Sequence, residues 1–202
     1  HAQQIARQAI ESFEGYDYVV VPSGSCGGMI AVHYPDLFAD DPEWNRRARA
    51  LAAKTFELTA FLADVMKIEP VAARFDGTAT YHDACAGLRE LGVRRQPREL
   101  LAGVGGLDLE EMAETEACCG FGGTFCVKYG EISTDIVSRK TANVAKTGAD
   151  LLLAGDLGCL LNIAGRLKRE GSSVQVRHVA EVLAGMTDQV PPIGENDESG
   201  GG

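Results

Sequence analysis

The chain has 202 residues, 45% hydrophobic and 24% charged, with a net charge of −10, a composition typical of a globular protein able to bury a core. The acidic balance argues against non-specific nucleic-acid binding, which needs clustered Lys and Arg to displace counterions. No apolar run approaches the ~20 residues of a membrane-spanning helix.

In chain order the pattern alternates helices with short buried strands. Residues 5–13, "IARQAIESF", have helical periodicity, and 16–21, "YDYVVV", form a β-branched and aromatic strand stopped by Pro22. Residues 46–66 carry apolar positions at helical spacing, predicting one long helix or two in succession. A strand is expected over 77–83, a short helix over 97–103 and a weaker strand over 111–117. A helix over 131–148 ends on Gly148, a residue suited to the left-handed cap. Then come a strand at 149–155, a helix at 159–170, a strand at 174–179 and a last helix at 179–185. The polar, Gly-rich stretch from Pro191 is expected to be disordered. This alternation predicts an α/β fold with mainly parallel sheets.

An internal match organises the rest. Shifted by 133 positions, "GYDYVVVPSGSCGGMI" lies over "GADLLLAGDLGCLLNI", pairing Gly15 with Gly148, Asp17 with Asp150, Cys26 with Cys159 and Ile30 with Ile163. Agreement of Gly, Asp and Cys in one ungapped register predicts two similar three-layer halves, at 1–76 and 77–188, followed by a tail at 189–202. The second half has a section upstream of this match that the first half lacks before His1, so the first half is expected to be truncated at its start.

Six cysteines (Cys26, Cys85, Cys118, Cys119, Cys126 and Cys159) occur without an export-type leader. This points to a reducing compartment, where patterned cysteines bind metal or do redox chemistry more often than they form structural disulfides. Cys85 is followed after 32 residues by the Cys118–Cys119 pair, and after another 39 by Cys159, each in a loop expected to follow a strand. Carboxyl ends of parallel strands share one edge, so such residues converge there. No C-x-x-C knuckle of the structural-zinc kind is present. Adjacent cysteines suit a multi-iron cluster several ångströms across better than one tetrahedral ion, and the glycines of "GFGG" allow backbone N–H groups close to sulfur. An iron–sulfur cluster is the preferred reading, with zinc and a dithiol redox site left open.

The motif "C…CCG…GC", with "YHDAC" leading in and "DLGCLLNI" ending it, resembles the cysteine-rich CCG domain found in heterodisulfide reductase and in the glycolate oxidase iron–sulfur subunit. The stretches "YHDACAGLRELGVRRQPRELL" and "ACCGFGGTFCVKYGEIS" look closest to a small two-copy member of that family, with the resemblance covering about Ala2 to Gly185. It implies an iron–sulfur protein, possessing a [4Fe-4S]-type cluster, within a cytoplasmic complex that oxidises L-lactate or a similar 2-hydroxy acid to pyruvate alongside other subunits. It further implies that Cys85, Cys118, Cys119 and Cys159 are ligands and that Cys26 is the last cysteine of an incomplete first site. Two function classes stand beside this electron-transfer reading, a cluster-based thiol or disulfide reductase subunit and a zinc-stabilised interaction module.

The chain departs from the family pattern where a closing C-x-x-C is common. Asp156 and Ser23 hold the first of those places, and Asp156 is expected to cap a loop rather than ligate. Cys126 is read as a small buried hydrophobe. His82, next to Asp83 and close to Cys85, suits either a hydrogen bond to a cluster sulfur or a structural role, whereas His33 and His178 are read as structural. Arg89, Arg94, Arg95 and Arg98 form a basic group read mainly as a solvated helix face, with docking of a carboxylate or partner as the alternative.

Overall fold

The computed structural model describes residues 1–68 and 72–195. The first part runs α1 (Ala2–Phe13), β1 (Val19–Val21), α2 (Gly24–Gly28), a π-helical turn (Met29–His33), α3 (Tyr34–Leu37), α4 (Pro42–Ala52), β2 (Thr55–Glu57), α5 (Leu58–Ala60) and a second π-helical turn (Phe61–Val65). The second part runs β3 (Arg74–Tyr81), α6 (Cys85–Leu91), α7 (Arg95–Leu101), β4 (Gly105–Leu109), α8 (Phe125–Lys128), α9 (Gly130–Thr147), β5 (Leu151–Ala154), α10 (Leu157–Arg169), β6 (Gln175–His178) and α11 (Val179–Leu183). Strands β1 and β2 form one sheet and the order β4-β3-β5-β6 forms the other, with every pairing parallel. The fold class is therefore α/β. Among the described residues, no helix is long and apolar enough to cross a membrane.

The "LLLA" of β5 is buried on both faces, as a central parallel strand must be. Leu152 and Ala154 enter one core with Val137 and Val144 of α9 and Leu160 and Ile163 of α10. Leu151 and Leu153 enter the opposite core with Leu100 and Leu101 of α7 and Val182 and Leu183 of α11. Alternation along one strand thus makes three layers. The first sheet has a smaller core, in which Val19 packs with Ala6 and Ile10 of α1 and Ala48 and Leu51 of α4. Trp44 packs at the start of α4, its ring against Phe38 and beneath the guanidinium groups of Arg7 and Arg47.

Three expectations about secondary structure are corrected. The helical periodicity over 46–66 is broken by β2, because the edge of β1 draws Lys54 and its successors into pairing, with the Val19 N–H donating to the Lys54 carbonyl at 2.8 Å. The strand expected at 111–117 lies instead at β4, whose "GGLDL" carries two glycines and was hidden by their low strand propensity. Residues 113–116 form turns, with Met112 and Thr115 buried there. Finally, part of the tail is ordered: the Ile193 N–H donates to the Val176 carbonyl at 2.9 Å and its side chain packs on the main core. The rest of that tail expectation, from residue 196, falls outside the described residues. Strand β3 also begins at Arg74, so the boundary expected between 76 and 77 cuts through a strand.

The two sheets meet through residues related by the 133-residue shift. Ser23 caps α2 and Asp156 caps α10, and the Ser23 hydroxyl donates to Asp156 Oδ2 at 3.0 Å. Ser25 adds its backbone N–H at 3.0 Å and its hydroxyl at 2.7 Å to the same oxygen. His178, which caps α11, approaches the Pro22 carbonyl with Nε2 at 3.1 Å. Where α2 crosses α6 the backbones touch, and a Cβ on Gly24 would stand 2.7 Å from the Gly87 Cα, so only glycine fits.

Because Leu152 is fully buried in the central strand, Leu152→Ala should lower stability by about 2–5 kcal/mol. Val20→Ala, on the exposed side of β1, should change it by less than about 1 kcal/mol. Chemical denaturation of both variants checks the assignment of the core.

Candidate metal centre

The carboxyl ends of β3 and β5 deliver the site. Their pairing aligns Tyr81 with Leu153, and the next residue continues it, the His82 N–H donating to the Leu153 carbonyl at 2.8 Å. His82 and Asp83 therefore lie beside the turn that leads from β5 into α10. There Asp156 caps the helix by accepting from the Gly158 N–H at 3.2 Å, which places Cys159 in its first turn. A ring nitrogen of His82 and the sulfurs of Cys119 and Cys159 all lie within 4.8 Å of one another, and all three residues are buried. Cys118 joins through its neighbour, since its thiol interacts with that of Cys119, which in turn interacts with that of Cys159.

The Cys118–Cys119 loop is shaped by glycine and anchored from two helices. Gly120 has φ +82°, and a Cβ there would stand 2.7 Å from the Ser133 carbonyl. Its carbonyl accepts from the Ser133 hydroxyl at 2.8 Å, while Asn162 of α10 donates to the Cys119 carbonyl at 2.8 Å. The Gly120 N–H points at Cys118 Sγ at 3.3 Å, the kind of backbone contact that stabilises a sulfur ligand.

Beneath the loop lies Lys140, which is 1% exposed. Its ammonium donates to the carbonyls of Glu114 at 2.6 Å and Thr115 at 3.1 Å. Burial lowers its pKa, while the nearby Cys119 and Asp83 oppose that shift. Asp83 is 2% exposed and forms a bidentate pair with Arg98 at 2.9 and 3.0 Å; Arg98 also reaches Glu111. Such a buried pair orders the strand end more than it stabilises the fold. Sequence reasoning missed both features. A signal for Lys140 existed, since it falls on the apolar stripe of α9 with Val137 and Val144. The Arg98 pairing needs a contact across 15 residues that no local pattern carries. Arg98 is thus taken up within the fold, whereas Arg95 pairs with Asp64 and Glu99 at the surface and still faces solvent, as do Arg89 and Arg94.

The other cysteines lie around this trio. Cys85 opens α6, next to Ala84, which packs in the same core as Cys119 and Cys159; its sulfur is not part of the compact trio. Cys26 is exposed in the first turn of α2 and likewise stands outside the trio. Cys126 is half-buried and its thiol turns back to the Gly123 carbonyl at 3.1 Å. Cys118 and Cys119 do not follow a strand directly, since β4 ends at Leu109.

Electrostatics describe a site suited to receiving positive charge. Cys118 itself is exposed, and the hydrogen bond with Cys119, joined by partial burial of its thiol, holds that group well above its usual range. For Cys119 the bond to Cys118 lowers the pKa, but the bond to Cys159 and burial outweigh it, and the group is pushed up to about 12. Burial, aided by the charge of Lys140, brings His82 down to about 4. Crowded thiols that resist ionisation ionise readily when a cation binds them. Among the described residues neither buried ring nitrogen of His82 completes a well-formed hydrogen bond, although the Thr115 carbonyl lies near the ring; an unpaired buried polar group costs about 1–3 kcal/mol, which a bound group would relieve. Clustered thiols with an imidazole favour a soft or borderline metal or an iron–sulfur group. The residues therefore fit a metal centre.

Comparison with known proteins agrees with this geometry. The cysteine-rich domain family CCG matches residues 1–31 and 79–164, two stretches whose ends are separated by the same 133 positions as the internal repeat. The chain belongs to this family. Its relatives include lactate utilization protein A from Shouchella clausii (strain KSM-K16), 49% identical over 90% of this chain and 75% of the relative. The protein of the same name from Geobacillus sp. (strain WCH70) is 49% identical over 90% and 76%, and that from Lysinibacillus sphaericus (strain C3-41) is 50% identical over 88% and 77%.

Burial raises the Asp156 carboxyl, but hydrogen bonds from Ser25 and Ser23 outweigh it and hold the group below its ordinary value. A lowered folded-state pKa stabilises above the unfolded value, near pH 4, and loses that effect as pH falls through the folded value. Wild type should therefore exceed Asp156→Ala by about 1–2 kcal/mol at neutral pH. That difference should shrink below pH ~4, as urea unfolding from roughly pH 2.5 to neutrality would record.

Proposed function

We propose that the chain is an iron–sulfur electron-transfer subunit of a cytoplasmic complex that oxidises L-lactate, or a similar 2-hydroxy acid, to pyruvate. The observation that carries this reading is the buried meeting of Cys119, Cys159 and His82 beside Cys118, in a chain similar to proteins named for lactate utilization. Cys85, Cys118, Cys119 and Cys159 are assigned as ligands to a [4Fe-4S]-type cluster, and Cys26 as the corresponding ligand position of the first repeat. Residues 1–76 and 77–188 are assigned to the two repeats, the boundary falling within β3, which begins at Arg74.

A bound iron–sulfur group supplies one-electron redox chemistry. The chain's own residues set its surroundings. Lys140 places a positive charge behind the thiolates, and the Gly120 N–H steadies Cys118. The Asp83–Arg98 pair holds the end of β3, and Phe121 covers Gly158 at the start of α10. The hydroxyacid is oxidised on a partner subunit, which gives up the electron pair and releases protons there, and this chain relays the electrons.

A zinc-stabilised interaction module is the second reading, favoured by the closeness of the three donor atoms, within 4.8 Å, a span that a single tetrahedral ion also bridges. Anaerobic purification separates the two. Iron and sulfide in comparable amounts with broad visible absorbance are expected, and both should fall sharply in Cys119→Ser and Cys159→Ser; a colourless protein with one zinc overturns the assignment. Mixed with its partner subunits, the loaded chain should support lactate-dependent reduction of an acceptor that neither the chain nor the partners sustain alone.

A further inference from the structure

We propose that His82 is a positioning residue of the metal centre, giving a ring N–H to the sulfur of Cys119 or Cys159; this rests on the iron–sulfur reading above. The imidazole is 1% exposed, and neither Nδ1 nor Nε2 completes a well-formed hydrogen bond among the described residues, the Thr115 carbonyl being the protein acceptor that lies near the ring. A buried polar ring left in that state is rare, because the lost hydration is not recovered. The acceptors it lacks are close by, since one ring nitrogen lies within 4.8 Å of both sulfurs. An imidazole carries at least one N–H in either protonation state, so the contact requires no titration.

The surroundings fix the ring from behind. The backbone N–H of His82 is tied to the Leu153 carbonyl and that of Asp83 to the Thr115 carbonyl at 3.2 Å. The Asp83 side chain is held by Arg98, so the residues at the end of β3 have little freedom to turn the ring away. Hydrogen bonds to cluster sulfurs stabilise the more negative, reduced state and raise the reduction potential. His82 is therefore assigned to set the potential at which the chain accepts an electron, in addition to the ligands that hold the cluster.

The test uses the reconstituted full chain, its His82→Leu and His82→Asn variants, and wild type grown with ¹⁵N-histidine. Iron and sulfide content reports on the cluster itself. Redox titration and pulsed electron paramagnetic resonance report on the histidine. Loaded wild type should show a weak ¹⁵N coupling that is absent in both variants, His82→Leu should titrate at a lower potential, and His82→Asn, which keeps a donor, should recover part of the shift. A loaded His82→Leu variant with unchanged potential, or a wild type with no coupling or one of the size of direct iron–nitrogen ligation, overturns the assignment of His82 alone. Wild type that takes up no iron and sulfide overturns the iron–sulfur reading and the role of His82 with it.

Discussion

The parallel pairing of β3 with β5 is the constraint on which the site depends. Three register pairs, Ala79 with Leu151, Thr80 with Leu152 and Tyr81 with Leu153, bring the ends of both strands to one edge. The residues just beyond each strand are then forced into company: His82 and Asp83 on one side, the Asp156 cap and Cys159 on the other. A parallel sheet achieves this because successive strands point the same way, so residues 72 positions apart leave the sheet together. The Cys118–Cys119 loop arrives from elsewhere and is pinned to this edge by Ser133 and Asn162.

Packing thiols, an imidazole and an ammonium into one buried volume creates electrostatic tension. The buried Cys119 thiol is held protonated by Cys159 and by burial, that of exposed Cys118 chiefly by Cys119, and the imidazole is held neutral. Lys140 is partly compensated by the two loop carbonyls that accept from it, though burial still lowers its pKa. That asymmetry gives the centre a rigid frame with unsatisfied soft donors, which suits tight binding of a positively charged group better than it suits an empty core.

The two halves are joined by the same kind of residue that begins each helix. Asp156 accepts its own helix's N–H with one oxygen and the Ser23 and Ser25 groups of the other half with the second. One carboxylate thus serves local capping and tertiary assembly together. The departure from cysteine at this position is consistent with that use. A thiol is a weak acceptor and would leave those donors poorly paired.

By itself the sequence determined the fold class and pointed to a cysteine-based metal site. The buried "LLLA" strand, the glycine-capped helices and the repeated Gly, Asp and Cys spacing are local patterns, and local patterns are legible because backbone periodicity writes them into consecutive residues. The tertiary structure alone decided that β2 interrupts a helical run, that "GGLDL" is a strand, and that Cys85 and Cys26 stand apart from the compact trio. It also placed His82, Lys140 and Arg98 around the cysteines. Those outcomes depend on edge pairing and on contacts between residues far apart in the chain, where the neighbour across space outweighs the propensity of the residue.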